Sequence, residues 1–322
     1  MKCTQRFRVV PAFVLSLVLW ICATPALAAE ALKIIIPTAT GGGTDGYFRV
    51  LAREVEQFLG EPIIVMNIPG AGGTIGVAQM VRATPDGQTV AGVWLGPVTV
   101  SPNTMKVTYT PADYIPVVQV SSAPYVLCVH PEFPASDGKS LIAELKKNPE
   151  KYTYGNDGAG GPGQLATARI LRATGANARD VPFKGAGDTL TSFLGKHVDI
   201  YVGSIPPILP HLQAGKAKCL LVTSAERVAA LPGASSLADL GIPNEETILW
   251  RALLAPKGTP PERVAKLESA FEKAATSPAA KKFLEDAGEQ VAIKKGPALR
   301  KYIDDEYAAM AKLTKALNLT PQ

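Results

Sequence analysis

The chain has few of the side chains on which most enzymes depend. Its 322 residues include only 3 His and 4 Cys, and neither HxxxH nor Cys-x-x-Cys, spacings typical of metal sites, occurs. It also lacks a GxxxxGKS/T phosphate loop, and Gly203-Ser204 does not belong to a GxSxG nucleophile elbow. The sequence therefore gives no support for a metalloenzyme, a phosphate-loop NTPase or a serine hydrolase.

Charged residues are also scarce and unclustered. They make up 19% of the chain, and no run of Lys and Arg is longer than two residues. A nucleic-acid-binding protein normally carries a clustered basic face, so we set that class aside. The formal net charge is +5, but Lys2, Arg6 and Arg8 precede the first acid, Glu30, so the chain after residue 28 is near +2.

Long apolar runs are absent except at the N-terminus. Val9–Ile21 follows three cations and precedes Ala26–Ala28, which supplies an A-x-A cleavage site. The run is shorter than the ~20 residues that span a bilayer, so we expect residues 1–28 to be a cleaved export signal and not a transmembrane helix. A lipoprotein signal ending at Cys22 is a further alternative, which the bulky residues directly before that cysteine disfavour.

Only two cysteines, Cys128 and Cys219, remain after the export signal. Both lie in strand-like apolar runs, where a buried free thiol is the usual outcome. An even pair in an oxidising compartment also permits one disulfide. We expect free thiols, with the disulfide as the alternative.

The sequence does contain a regular alternation of strand-like and helix-like segments. The unbroken apolar run Leu32–Pro37 is typical of a strand buried on both faces of a parallel sheet, and Thr44–Leu59 has apolar residues at helical spacing. Near the C-terminus, three amphipathic segments begin at Pro261, Pro278 and Pro297, and proline is favoured at the first helical position. The alternation predicts an α/β fold, and roughly 20 elements are more than one compact sheet accommodates, which indicates two lobes.

Three glycine-rich turns each lie between a predicted strand and a predicted helix. They are Pro37–Asp45, Tyr154–Gln164 and Phe183–Asp188. Backbone N–H groups at the start of a helix are unpaired and lie at the positive end of the helix dipole, so they can bind an anion. In α/β proteins such turns lie at the carboxyl ends of the strands, where ligands bind. We therefore predict that turns from different parts of the chain hold one carboxylate between them.

Two other interpretations of these turns stay open. Glycine also permits the positive φ of a tight turn, and Thr44 and Asp45 are natural N-cap residues, a role compatible with ligand contact. Separately, GAGGPG at 158–163 matches the dinucleotide fingerprint, with Asp180 about 20 residues further on. The proline inside that pattern and the place of Asp180 before the next strand argue against a nucleotide.

Six segments together resemble the Bug or TctC-like family, the periplasmic solute-binding receptors of tripartite tricarboxylate transporters. They are PTATGGGTD, NIPGAGGTIG, YGNDGAGGPGQLA, VPFKGAG, LPHLQAGK and WRALLAPKGTP, beginning at residues 37, 67, 154, 181, 209 and 250. The resemblance implies an α/β, two-lobed type II periplasmic-binding-protein (Venus flytrap) fold. Lobe 1 is then formed by residues 29–123 and about 236–322, and lobe 2 by about 124–235.

The resemblance also implies the function and the site. Such a receptor is a periplasmic monomer without enzymatic activity, cofactor or metal, and it passes its ligand to the subunits of a membrane permease. The ligand's carboxylate lies between the lobes, partly held through water. The residues expected to bind it are Thr38, Gly42, Gly43, Thr44, Asp45, Asn156, Asp157, Gly158, Gly160, Gln164, Lys184, Gly185 and Ser204. A carboxylate sensor or adaptor of the same fold, or an exported enzyme, is the alternative function.

The chain departs from the usual family pattern mainly by losing side-chain donors. The departures are at Thr38, Ile68, Gly161, Gly163, Gln164 and Gly203. They widen the expected cleft and leave more of the binding to backbone N–H groups, so the particular carboxylate stays open. Trp94, Tyr125 and Phe183 are candidates for lining the pocket of an aromatic acid, although core packing is the more common role of such residues.

Overall fold

Two β-sheets organise the chain, one of six strands and one of five. The residues described by this computed structural model are 30–41, 43–156, 158, 161–183 and 186–319. The predicted export signal therefore lies outside the described residues. Strands and helices alternate along the described chain, which confirms the predicted α/β class.

The six-stranded sheet combines parallel and antiparallel pairs. Its strands are β1 (Leu32–Ile36), β2 (Ile63–Asn67), β3 (Thr89–Trp94), β4 (Tyr114–Pro124), β10 (Ile248–Pro256) and β11 (Gln290–Lys295), in the spatial order β11-β4-β10-β3-β1-β2. Strand β1 is parallel to β2 and β3, whereas β10 is antiparallel to β3 and β4. The parallel strands therefore have their carboxyl ends at one edge of the sheet.

The five-stranded sheet has the same mixed character. Its strands are β5 (Val126–Val129), β6 (Thr153–Asn156), β7 (Arg179–Pro182), β8 (Ile200–Gly203) and β9 (Lys218–Val222), in the spatial order β7-β6-β8-β5-β9. Strand β6 is parallel to β7 and β8, and β5 is antiparallel to β8 and β9. The carboxyl ends of β6, β7 and β8 therefore lie side by side.

Helices connect most of the strands. They are α1 (Gly43–Leu59), α2 (Thr74–Val81), α3 (Ser101–Thr104), α4 (Gly138–Lys147), α5 (Pro162–Thr174), α6 (Ala186–Leu194), α7 (Ile205–Gln213), α8 (Pro261–Ala275), α9 (Pro278–Asp286) and α10 (Gly296–Ala316). Of the helices in the described ranges, none is both long enough and apolar enough to span a membrane.

The six-stranded sheet is covered on both faces because its strands carry apolar residues on both. On one face, α1 buries Tyr47 and Leu51 against the strands and against Phe271 of α8. On the other face, Met80 of α2 and Met310 of α10 pack in a second cluster. Burial on both faces explains the unbroken apolar runs of these strands.

Two connections between the sheets run side by side. One is the passage from β4 to β5 through Tyr125, and the other is the long return from β9 to β10. Thr223 joins them, because its N–H donates to Tyr125 O at 3.0 Å and its Oγ1 accepts from Tyr125 N at 2.9 Å. Thr223 Oγ1 also donates to Thr247 O at 2.6 Å. The two chain segments that link the sheets are thus fastened to each other.

Two segments of this fold were not predicted from the sequence. Strand β11 has the sequence QVAIKK, whose lysines do not suggest a strand, but long-range pairing with β4 at the sheet edge makes it one. Residues 96–104 form a wide helical turn followed by α3. Their prolines and β-branched residues have low helix propensity, and the segment is helical because it packs on α10.

The expectation of free thiols was wrong. Cys128 and Cys219 are joined by a disulfide. They lie opposite each other on the antiparallel strands β5 and β9, a pairing that follows from the strand register. Sequence gives no register between strands 91 residues apart, so only the structure could decide.

Candidate functional site

The first glycine turn lies at the carboxyl end of β1. The strand ends at Ile36 and α1 begins at Gly43, so the turn opens directly into the helix. The first N–H groups of α1 have no carbonyl partner within the helix and carry the positive end of its dipole. Gly41 has φ of 90°, a left-handed conformation that suits glycine. Both features make this edge of the sheet suitable for an anion.

Asp45 organises this turn from inside. Its carboxylate accepts hydrogen bonds from Gly41 N at 2.8 Å, Arg49 Nε at 2.9 Å and Asn67 Nδ2 at 2.8 Å. Asn67 also donates to Thr38 O at 3.0 Å, which fixes the start of the turn. Burial alone would raise the pKa of Asp45, but the hydrogen bonds from Arg49, Gly41 and Asn67 hold that pKa below its usual value. The carboxylate is therefore ionised, and hydrogen-bond donors of the protein already bind its oxygens.

A buried ion pair lies beneath the same turn. Arg251 on β10 is 3% exposed, and its Nε donates to Thr44 Oγ1 at 3.1 Å. The guanidinium is held by both carboxylate oxygens of Glu289 and by Ser121 Oγ. A Cβ added to Gly43 would lie 3.2 Å from Arg251 Nη2. The start of α1 therefore packs directly against this ion pair.

The second glycine turn follows β6 in the other sheet. Asn156 is fully buried, and its Oδ1 accepts from Gly158 N at 3.0 Å. Asn156 Nδ2 and Gln164 Nε2 both donate to the carboxylate of Asp180. Gly158 has φ of 145°, which other residues rarely adopt. Asp180 thus joins Asn156, at the start of this turn, to Gln164, at its end.

The neighbouring strands β7 and β8 end beside this turn and also lead into helices. Phe183 follows β7 and its N–H donates to Asn156 O at 3.0 Å. Ser204 follows β8 and precedes α7, and neither Ser204 nor Gly161, which precedes α5, donates or accepts a side-chain cap bond. Pro162, Pro206 and Pro207 have no backbone N–H. The donors at the edge formed by β6, β7 and β8 therefore include the N–H groups of Gly163 at the start of α5 and of Ile205 at the start of α7.

The described part of the predicted site falls into two groups. Thr38, Gly43, Thr44 and Asp45 surround the start of α1. The residues at the edge of the five-stranded sheet are Asn156, Gly158, Gln164 and Ser204. The predicted residues Gly42, Asp157, Gly160, Lys184 and Gly185 lie outside the described residues.

The three aromatic candidates are packed. Trp94 contacts the apolar cluster that contains α2 and α10, and Phe183 contacts the cluster that contains β5 and β8. Tyr125 is 6% exposed in the connection from β4 to β5. Trp94 and Phe183 are half-buried, so their role in lining a pocket stays a prediction.

Asn67 and Arg251 support the first turn but were not predicted from the sequence. Asn67 ends β2 beside β1, so the rule that ligand sites gather at the carboxyl ends of parallel strands could have indicated it. Arg251 lies within an apolar strand, and nothing in the sequence pairs it with Glu289. Among the described residues, no group of three or more His, Cys, Asp or Glu is placed to hold a metal ion.

Comparison with known proteins agrees with this geometry. The sequence profile of the tripartite tricarboxylate transporter family receptor matches residues 47–319. The chain is 31% identical over 295 residues to a UPF0065 protein of Bordetella pertussis, covering 91% of each. Its fold is similar to that of a TctC solute binding protein from Polaromonas, with a TM-score of 0.81 and 29% identity over 89% of this chain and 98% of that one.

Two further structures were solved with ligands. MatC from Rhodopseudomonas palustris with bound malate has a TM-score of 0.70 and 27% identity, covering 88% of this chain and 98% of that one. A second protein from R. palustris, solved with adipate, has a TM-score of 0.73 and 26% identity, covering 91% and 98%. The resemblance and the two-lobed fold inferred from the sequence are thereby confirmed. The chain belongs to the tripartite tricarboxylate transporter receptor family, whose members are solute-binding receptors and not enzymes.

Proposed function

We propose that this receptor captures a small carboxylate between its two lobes. The observation that carries the proposal is the pair of glycine turns, one at the carboxyl end of β1 and one at the carboxyl end of β6. In each turn the side chains are bonded to one another, and helix N-termini supply the unpaired donors. Relatives of the same family that hold malate or adipate support the ligand class.

The two groups of residues then have separate roles. We assign direct contact to the backbone at Gly43 and Thr44 and to the side chains of Gln164 and Ser204. Thr38, Asp45 and Asn156 support the turns through their hydrogen bonds, and Gly158 does so through the N–H that it donates to Asn156. Gly42, Asp157, Gly160, Lys184 and Gly185 stay predicted contacts.

The proposal extends to the domain division and the biological setting. The strands assigned to the six-stranded sheet come from residues 32–124 and 248–295, which supports lobe 1 at 29–123 with about 236–322 and lobe 2 at about 124–235. We infer that the chain is exported through a cleaved signal at residues 1–28, acts in the periplasm as a monomer and delivers its ligand to the permease of a tripartite transporter.

A thermal-shift screen of the purified receptor tests the ligand class. The panel contains malate, adipate, citrate, glutamate and benzoate, each paired with its neutral amide. A ligand that binds only the folded state stabilises it by RT ln(1 + [L]/Kd), which is about 2.7 kcal/mol at 100 times Kd. At least one acid should raise Tm while its amide does not. A panel in which no acid acts, or in which the amide acts equally, would contradict the proposal.

A further inference from the structure

A groove on the six-stranded sheet lies apart from the proposed ligand site. It is bordered by the edge strand β2, the helix α2 and residues 106–108, and it encloses about 880 Å³. None of the residues that line it is a predicted ligand-binding residue. Its apolar lining includes Ile35, Met66, Ala71, Ile75, Ala78 and Val107. We call it the β2–α2 groove.

The apolar lining is exposed because α2 is only eight residues long and packs its other face on the sheet. Val77 and Met80 of α2 are fully buried, whereas Ile75 is 52% exposed and Met66 is 37% exposed. Ile64, on the same face of β2 as Met66, is 46% exposed. Of the large apolar side chains exposed in the described chain, most are therefore in or beside this groove. Such clusters mark interaction sites.

The rim of the groove is positively charged. Lys33, Arg82 and Lys106 line it, and no acidic residue does. Within the described ranges none of these three cations forms an ion pair. Arg82 donates instead to Thr108 Oγ1 at 3.2 Å. Because the exported chain is near neutral, this charge is local and its natural complement is a cluster of carboxylates.

Two other occupants fit the groove less well. A second copy meeting this face across a twofold axis would place the three cations against the same three cations, which repel. A membrane surface cannot follow a concave groove whose deepest apolar residue, Ile35, is 2% exposed. Strand β2 is also an edge strand, and a peptide segment can pair with its free backbone groups.

We propose that the β2–α2 groove docks an acidic, amphipathic segment of a protein partner. Apolar side chains of the segment pack on Ile75 and Met66, and its carboxylates pair with Lys33, Arg82 and Lys106. This inference rests on the proposed function, because a receptor that delivers its ligand needs a surface that contacts the membrane permease. We assign that contact to the β2–α2 groove. Docking and ligand capture then use different residues and can be separated by mutation.

Carboxylate uptake in a host strain lacking the native gene is the first test. The variant carries Lys33→Glu, Arg82→Glu and Lys106→Glu. A control variant carries Lys139→Glu, Lys146→Glu and Lys147→Glu, which makes the same change in charge on three lysines of α4. The groove variant should lower uptake at least tenfold and leave the Kd of the purified receptor for the carboxylate within twofold of wild type. The control should support normal uptake.

The outcomes separate the two proposals. If wild type and the groove variant both support normal uptake, the groove is not the docking site. The proposed function would be unaffected by that result. If wild type restores no uptake, delivery to a permease is wrong and the docking inference falls with it. A second variant, Ile75→Ser, removes apolar surface without changing charge and should also lower uptake.

Site-specific crosslinking in the same cells identifies the occupant. A photoreactive amino acid at Gln79, which lines the groove, should crosslink to a permease subunit. The crosslink should disappear in the charge-reversed variant. A crosslink to a second copy of the receptor would overturn the proposal. Co-sedimentation of the purified receptor with anionic vesicles, lost on charge reversal, would also overturn it in favour of a lipid surface.

Discussion

Asp45 shows how one buried carboxylate orders a glycine turn. Its side chain is 2% exposed and accepts hydrogen bonds from Gly41, Arg49 and Asn67. We expect Asp45→Ala to weaken carboxylate binding about tenfold, because losing a charged acceptor costs about 1.5–3 kcal/mol and releases the turn. Isothermal titration calorimetry with the best acid of the panel measures the change.

Asp137→Ala is a matched control for that variant. Asp137 precedes α4 and accepts from Ser140 N at 2.7 Å, so it is also an aspartate at the start of a helix. Both variants should lose about 1 kcal/mol or more of stability. Only Asp45→Ala should change Kd, and an unchanged Kd in that variant would show that Asp45 does not order the site.

Gly158 is a position where backbone conformation, and not space, requires glycine. An added Cβ would approach only Phe183 O, at 3.7 Å, but φ is 145°. Gly158→Val should therefore move the N–H that donates to Asn156 Oδ1 and weaken carboxylate binding about tenfold, at a strain of about 1–3 kcal/mol. Gly175→Val, at φ 68° after α5, is the control and should leave Kd unchanged in calorimetry.

Glu306 is a buried carboxyl that should make stability depend on pH. Its Oε2 accepts from Trp250 Nε1 at 2.7 Å, and burial raises the pKa of Glu306 from 4.5 to about 7. A group whose pKa is raised by folding disfavours the folded state once it ionises. The stability that protonated Glu306 contributes is therefore fully present below pH 4.5. As pH rises through 7 it is lost, and the free energy of unfolding falls by about 3 kcal/mol.

Glu306→Gln isolates this effect, because the amide oxygen can still accept from Trp250 and cannot ionise. The variant should be more stable than wild type at pH 8, by up to about 3 kcal/mol, and nearly equal to it at about pH 4. Urea denaturation followed by tryptophan fluorescence at the two pH values measures the gap. An equal difference in stability between the variant and wild type at both pH values would show that ionisation of Glu306 is not the cause.

At the scale of elements, the ion pair of Arg251 and Glu289 joins β10 to the loop before β11 and supports the start of α1. Both side chains are buried. Arg251→Met should lower the free energy of unfolding by about 3–5 kcal/mol, because Glu289 would be left buried without a partner. The double variant Arg251→Met with Glu289→Met should recover most of that loss in urea denaturation. Equal losses in the single and double variants would show that the pairing is not what matters.

The elements differ in how far sequence could predict them. Helix α1 and strand β1 could be predicted from local patterns, because the spacing of apolar residues and the position of the glycine turn indicate each element and its ends. Strand β11 and the disulfide between Cys128 and Cys219 depend on register between distant segments, which local patterns do not contain. The same limit applies to the site, because Arg251 meets Thr44 only through long-range packing. The glycine turns could be predicted from the sequence. The buried Arg251, which supports the first turn through Thr44, could not.

At the scale of the whole molecule, the proposed function requires two lobes to hold one anion between them. A ligand favours a closed arrangement only by the difference in its affinity for the closed and open forms, so contacts from both lobes are required. With a net charge near +2 after residue 28, the receptor has no strong global field to attract anions. Local helix dipoles and backbone N–H groups must then supply the affinity.

A crystal structure of the receptor with the best acid of the panel tests this claim most directly. We predict that one carboxylate group of the ligand lies within hydrogen-bond distance of backbone N–H groups at the start of α1 and in the turn after β6, directly or through one water. A ligand that contacts only one of these turns, or that lies in the β2–α2 groove, would contradict it.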